Sequence, residues 1–439
     1  MDQTALQDAQ ALLSFIAHSP TAYQAVDTMA ALLDQAGFVR LQEHERWTLR
    51  PGQSCYLIRN GSALVAFRIP AAGADRFMAA AVHTDSPAFK LKVDGELDAF
   101  GKYVRLNTER YGGMILSTWL DRPLSVAGRV IVQDGARFVP RSVTVDRDLV
   151  LIPNTCIHFN RELNDGYRYN PASDLLPLYA MTGGQPLRSV LAEAAGCAPE
   201  QLAGGDLFLY HRTPGTVWGA EREFFSAPRI DNLMCAYGAL RGLLEAGPDG
   251  TAVQVLAALD NEETGSQSRQ GAGCLLVRDV LERIAGALGH DLMQMLAGSM
   301  LLSADNAHAR HPNRPELSDS GTNAPHMNAG VVIKHNAAQH YTTDAVSAAL
   351  FSELCRSAGV PVQHFSNRSD LAGGSTLGGI LNRSVPLCSV DVGMAQLAMH
   401  SSYETAGCAD VTYIVRACRA FFRSALTCRD GGFELHTGR

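Results

Sequence analysis

Four apolar runs of this chain stop at residues able to bind a metal or move a proton. Run 77–82 leads into His83-Thr84-Asp85, and run 253–259 leads into Asp260-Asn261-Glu262-Glu263. Run 300–303 leads into Ala304-Asp305, and run 384–390 into Asp391, with His400 shortly after. Asp231 opens a helical pattern and can join them. Imidazole nitrogens and carboxylate oxygens are zinc donors, and two such ions can clamp one reaction centre. Taken singly, each residue has a plainer use. Asp231 reads as a helix N-cap, Asp305 as a solvated turn residue, and His83 or His400 as a hydrogen-bonded structural histidine. Glu262-Glu263 is harder to dismiss, because adjacent carboxylates beside a buried strand repel unless a cation or proton lies between them. One can bind metal while the other takes a proton from water.

Other catalytic signatures are missing. His44-Glu45 is followed by no histidine at the spacing of a zinc-binding helix. Neither a nucleophile elbow nor a phosphate-binding loop occurs. Gly373-Gly374-Ser375-Thr376-Leu377-Gly378-Gly379 does not fit a dinucleotide fingerprint and reads as a tight backbone loop near the site.

These residues need strands that end on one edge. The chain opens with two helices. Short apolar runs 57–59 and 63–69 flank Asn60-Gly61, a hairpin-turn pair. Between about 90 and 221 short β-like runs (130–132, 142–145 and 149–152) are broken by Gly, Asp and Pro, with a weaker helix at 187–195. Beyond 221, strand and helix alternate: helix 231–245, strand 253–259, helices 279–288 and 292–297, strand 300–303, helix 345–358, strand 384–390 and a closing helix 411–426. Such alternation implies a mostly parallel sheet with helices on both faces. Ligands of open α/β sheets bind beyond the carboxyl ends of the strands, where the His, Asp and Glu residues fall.

The 439 residues suit one large or two medium domains and are apolar enough for a packed core. With 37 basic and 44 acidic residues the net charge is −7, and no Lys/Arg run makes a basic stripe, so nucleic acid is not an expected partner. No apolar stretch approaches the roughly 18–20 residues that span a bilayer, so no membrane partner is expected. Segment 5–17 has the spacing of an amphipathic helix rather than a signal peptide. Ten scattered cysteines without a C-x-x-C pair predict reduced thiols and a cytoplasmic location.

Val82-His83-Thr84-Asp85-Ser86-Pro87, Asp260-Asn261-Glu262-Glu263-Thr264-Gly265-Ser266 and Ser303-Ala304-Asp305-Asn306-Ala307-His308-Ala309 resemble the aspartyl aminopeptidase family of dinuclear zinc metallopeptidases, in its bacterial branch. So do Phe15-Ile16-Ala17-His18-Ser19-Pro20-Thr21, His311-Pro312-Asn313, Val332-Ile333-Lys334 and Gln396-Leu397-Ala398-Met399-His400-Ser401. The likeness runs through the whole chain in order.

The resemblance implies an α/β fold: a zinc-peptidase-like mixed, mostly parallel sheet flanked by helices. Residues 1–92 and 222–439 would form the catalytic domain, and 93–221 an inserted β-rich oligomerisation domain. It implies two divalent metal ions per subunit, zinc in the family. His83 and Asp305 would bind one, Glu263 and His400 the other, and Asp231 would bridge them. Glu262 would be the general base, with Asp85 a site-shaping carboxylate behind His83. The expected reaction is hydrolysis of the N-terminal residue, acidic residues included, from peptide substrates. Lys334 is a candidate for substrate or oxyanion binding, against the plainer reading of a strand-edge surface lysine. The family assembles as homo-oligomers, tetrahedral dodecamers, in which His158 of Ile157-His158-Phe159 would reach a neighbouring active site.

Three positions depart from the family pattern: Thr264, where Val or Ile is commoner; the stretch Leu371-Ala372-Gly373; and His340, where Arg is frequent. None is a proposed ligand, but the last two lie where specificity could be tuned. An inactive assembly or cargo protein would be expected to lose Glu262 or a ligand, and all are present. A deacylase or carboxypeptidase shares the ligands, and the inserted domain argues against it.

Overall fold

The computed structural model describes residues 2–438. Nine strands form one sheet, in the order 39–40, 54–59, 63–68, 253–259, 77–83, 300–304, 388–393, 331–335 and 362–366. Its centre is parallel: Phe77–His83 lies between Val253–Leu259 and Met300–Ala304, and Met300–Ala304 pairs in turn with Cys388–Gly393. Antiparallel pairs flank this centre, including the hairpin of Ser54–Arg59 with Ala63–Arg68 around Asn60-Gly61. Small residues dominate Phe77–His83, and the whole strand is buried. Such a strand, covered on both faces, reads as a continuous apolar run rather than an alternating one.

The alternation of side chains separates two cores. Met78, Ala80, Val82, Leu256, Leu302 and Val390 pack against helices Gln3–Ala17, Ala22–Gln35, Ile230–Ala246, Ala345–Ser357 and Cys408–Arg423. Phe77, Ala79, Ala81, Val253, Val255 and Leu301 pack against Leu276–Leu288, Leu292–Ala297 and Leu377–Leu381 on the other face. Neighbouring residues of one strand thus feed opposite layers.

A second, six-stranded sheet runs in the order 137–144, 124–134, 202–211, 88–99, 103–111 and 178–181. It is antiparallel throughout, and Phe89, Leu106, Val126, Val130, Leu191 and Leu209 belong to its own core. Run 149–152 forms only isolated bridges, and helix Leu187–Ala195 falls where the periodicity predicts it. A five-stranded sheet carries Phe224–Ala227 and Glu404–Gly407.

Several element ends differ from the sequence reading, and two of the differences change where residues fall. The strand expected at 384–390 lies at Cys388–Gly393, so Asp391 is inside it and fully buried. Residues 384–387 turn instead, close behind the short helix Leu377–Leu381. The closing helix stops at Arg423, and the chain continues into the hairpin Ala425–Arg429 and Gly432–His436.

Candidate metal centre

The parallel register brings the chemistry together. Leu259 pairs with His83, so Asp260 and the Glu262–Thr264 turn leave the sheet beside that histidine. Ser303 pairs with Ala81, which carries Asp305 to the same edge. Asn261, at φ 61°, starts the turn in the left-handed region, which Asn tolerates better than most residues. Asp231 does not act as an N-cap. It and Asn232 break the helical dihedrals inside Ile230–Ala246, and the carboxylate points into the cluster.

The two oxygens of Asp231 face different partners. Oδ1 lies 3.5 Å from His83 Nε2, which is 3.6 Å from Asp305 Oδ1. Oδ2 lies 3.4 Å from His400 Nε2, which is 3.4 Å from Glu263 Oε2. These separations are long for hydrogen bonds. They match donors around a common zinc ion, since tetrahedral ligands each about 2.0–2.1 Å from the ion stand roughly 3.3 Å apart. Asp231 Oδ1 and Glu263 Oε1 are buried without a hydrogen-bond partner. Donor atoms of His83, Asp231 and Glu263 all lie within 4.8 Å of one another. The donor set therefore fits a divalent metal.

Protonation follows from burial and crowding. His83 Nδ1 lies 3.1 Å from the Asp85 carbonyl oxygen, so its N–H donates there and Nε2 is left facing the carboxylates. Burial opposes charge on His83, but Asp231, Asp305 and Asp85 outweigh it and raise its pKa well above the usual value. Burial would raise Asp231, yet His400 and His83 hold it below the ordinary carboxylate range. Glu262 is pushed up to about 7 by burial and by the carboxylates of Asp305, Asp85 and Asp231, against the pull of His83. Burial and then Asp231 raise Glu263 well above its usual value. So many carboxylates around one buried point favour a cation.

Asp85 sits behind this cluster. Its Oδ1 accepts from the Glu262 N–H and its Oδ2 from the Glu263 N–H, both at 3.2 Å. Lys334 is not a surface lysine: it is buried, with Nζ 3.6 Å from Asp305 Oδ2 and above the Tyr341 ring. His158 lies apart from the cluster within one chain, on an exposed turn. Asp391 serves the fold, accepting hydrogen bonds from Thr342 and Thr376.

Sequence reasoning passed over Glu404, which is buried and accepts from the Asp231 N–H at 3.0 Å and the His400 N–H at 2.7 Å. Its position four residues after His400 was the available signal. It also passed over Tyr111, which reaches Asp85 from the second sheet and has no neighbour in sequence among the cluster residues.

A mixed sheet that gathers histidines and carboxylates at one edge makes a site fit to hold a metal ion. The family model for Aminopeptidase I zinc metalloprotease (M18) matches residues 15–422. The chain is 40% identical to "Probable M18 family aminopeptidase 2" of Clostridium novyi, covering 94% of this chain and 98% of the relative. Among solved structures, one described as the complex of Ape4 and Nbr1 matches with a TM-score of 0.92 at 33% identity, over 96% of this chain and 86% of the other. The S. cerevisiae mApe1 dodecamer matches with a TM-score of 0.84 at 29% identity, over 94% and 96% of the two chains. The chain belongs to the M18 family of zinc aminopeptidases. It is a metallo-aminopeptidase, a hydrolase of peptide bonds. No helix among the described residues is long and apolar enough to cross a membrane.

Proposed function

We propose that the enzyme holds two metal ions and removes the N-terminal residue of peptides, acidic residues included. The observation that carries this reading is the division of the Asp231 carboxylate, one oxygen toward His83 and Asp305, the other toward His400 and Glu263. His83 and Asp305 would hold one ion, His400 and Glu263 the other, and Asp231 both. When bound, the ions supply Lewis acidity toward the scissile carbonyl and a supply of nucleophile near neutral pH.

The chain's own residues do the rest. Glu262 takes a proton from the attacking water and passes it to the leaving amine, a task suited to a carboxylate whose pKa lies near 7. Asp85 fixes the Glu262-Glu263 backbone and the His83 ring. Lys334 is a buried cation beside Asp305, placed to meet negative charge on substrate or on the developing oxyanion. Acidic groups at the site also suit capture of a free α-amine, which would restrict cleavage to chain ends.

Residues 1–92 and 222–439 act as the catalytic unit, and 93–221 as an oligomerisation unit that builds a tetrahedral dodecamer in the cytoplasm. Many large apolar side chains exposed on the single chain lie in that second unit, among them Phe100, Phe138, Phe159 and Met181. His158, between exposed Ile157 and Phe159, is proposed to enter a neighbouring subunit's site. A panel of aminoacyl reporters assayed with zinc, cobalt and manganese after chelation tests the reading. Release of N-terminal residues that disappears on chelation supports it. Cleavage of N-acylated peptides or of C-terminal residues alone would overturn it.

A further inference from the structure

The Asp85 carboxylate touches His83 and the Glu262-Glu263 turn, and one of its partners comes from the second sheet. Oδ1 accepts from the Glu262 N–H and lies 3.4 Å from His83 Nδ1. Oδ2 accepts from the Glu263 N–H at 3.2 Å and from the Tyr111 hydroxyl at 2.7 Å. The phenol is the shortest of these contacts. It belongs to strand Tyr103–Tyr111, outside the nine-stranded sheet that carries the cluster.

The same oxygen of Tyr111 accepts from Asn261 Nδ2 at 2.8 Å. Asn261 opens the turn that carries Glu262 and Glu263. A closed loop of hydrogen bonds therefore runs from Asp85 through Tyr111 and Asn261 into the turn, and back to Asp85. Burial and then the Asp85 charge raise the phenol's pKa, which keeps it a donor. Its ring is held edge-on against Phe208, with centroids 5.4 Å apart.

The chain leaving this strand also touches both residues proposed to hold the second ion, Glu263 and His400. Gly112, at φ 76°, passes so close that an added Cβ would stand 3.0 Å from Glu263 Cβ and 3.3 Å from the Glu263 carbonyl oxygen. Ile115 N–H donates to the His400 carbonyl oxygen at 3.0 Å. A tyrosine in such a place is ordinarily a packing residue with a satisfied hydroxyl. Here the acceptor is the carboxylate that orients both a histidine and the Glu262-Glu263 turn, and outer partners of that kind tune metal sites.

We infer that Tyr111 is a positioning residue, through which the β-rich sheet sets the geometry of the metal centre by holding Asp85 and Asn261. The inference rests on the proposed centre and goes beyond it. In Tyr111→Phe the ring remains and the donor is lost. Zinc should leave for a competing chelator about ten-fold faster, and kcat should fall roughly 10- to 100-fold, with KM changing less than about three-fold. Tyr179→Phe removes another hydroxyl of the same sheet, one bonded to the Gln185 carbonyl oxygen, and should change none of these values. Gly112→Ala would press on Glu263 directly and so does not report on Tyr111. If Tyr111→Phe does not fold, Asn261→Asp, which loses the amide that donates to the Tyr111 hydroxyl, should speed zinc release in its place, and release within two-fold of wild type there overturns the inference. Zinc release and kcat within two-fold of wild type in the folded variant overturn the inference. Glu262→Gln, measured alongside, separates the two failures: if it too turns over normally, the reading of the centre is wrong, not only the role of Tyr111.

Discussion

Asp231 and Glu262 belong to the same cluster and should fail differently. Glu262 is proposed as a proton carrier and not a ligand, so Glu262→Gln should keep its metal while turnover falls by roughly two to four orders of magnitude. Metal analysis and a single-turnover assay on the same preparation check both halves; near-normal turnover removes the assignment. Asp231 offers one oxygen to each histidine, so Asp231→Ala should lose more metal than any other single-ligand variant. Full occupancy in that variant would exclude it from the site. His211 provides a different residue-level test. Its Nδ1 accepts from the Thr213 N–H, and Nε2 is buried without a partner. Burial, then the charges of Arg229 and Arg122, lower its pKa to about 4. An unfolded imidazole titrates near 6.5, so between roughly pH 6.5 and 4 the unfolded chain binds more protons and folding weakens as pH falls. His211→Asn should flatten that part of the pH–stability curve, by at most about 1.4 kcal/mol per pH unit. Denaturation midpoints of both proteins across the window test this, and parallel curves would refute it.

At the level of strands, the centre depends on how closely backbones run beside it. A Cβ on Gly393 would stand 1.9 Å from the Asp305 carbonyl oxygen, a backbone atom with little freedom to move. Gly393→Ala should therefore cost about 1–3 kcal/mol of stability and change the position of Asp305 relative to His83. Denaturation together with metal content reads both effects; an unchanged protein with full metal would mean that the strands part without disturbing Asp305. The strands carrying His83, Glu263 and Asp305 were legible because each is a buried apolar run that stops at a polar residue, and the parallel register aligns those stops. Asp391 broke the pattern. It looks like another residue beyond a strand end, yet it lies within Cys388–Gly393, where hydrogen bonds from Thr342 and Thr376 meet its buried charge. Lys334 was ambiguous for a related reason: strand Val331–His335 is apolar up to it, and the neighbouring Asp305 and the Tyr341 ring explain a buried ammonium. Tyr111 was not legible, since it acts through a contact made between sheets, and no spacing within one strand encodes that; Glu404 left only its place four residues after His400 as a sign.

Across the whole molecule, the open question is whether one chain completes the site. His158 lies in the segment 93–221, on an exposed turn, far in sequence from every proposed ligand. A histidine there is by default a surface residue. The proposed dodecamer gives it another use: an imidazole from a neighbouring subunit could stabilise charge developing on the scissile oxygen. His158→Phe should then leave metal content intact and strongly reduce activity. Loss of activity alone would not distinguish a shared site from a disturbed assembly. Mixing two inactive variants does. His158→Phe chains keep Glu262, and Glu262→Gln chains keep His158. Under conditions that permit subunit exchange, some contacts will pair an intact Glu262 site with a neighbouring subunit's intact His158, and activity should reappear. Its yield should rise as the two variants approach equal amounts, because the productive contact needs one chain of each kind. No recovery, with exchange demonstrated by labelled subunits, would mean that His158 acts within its own chain or takes no part in the reaction.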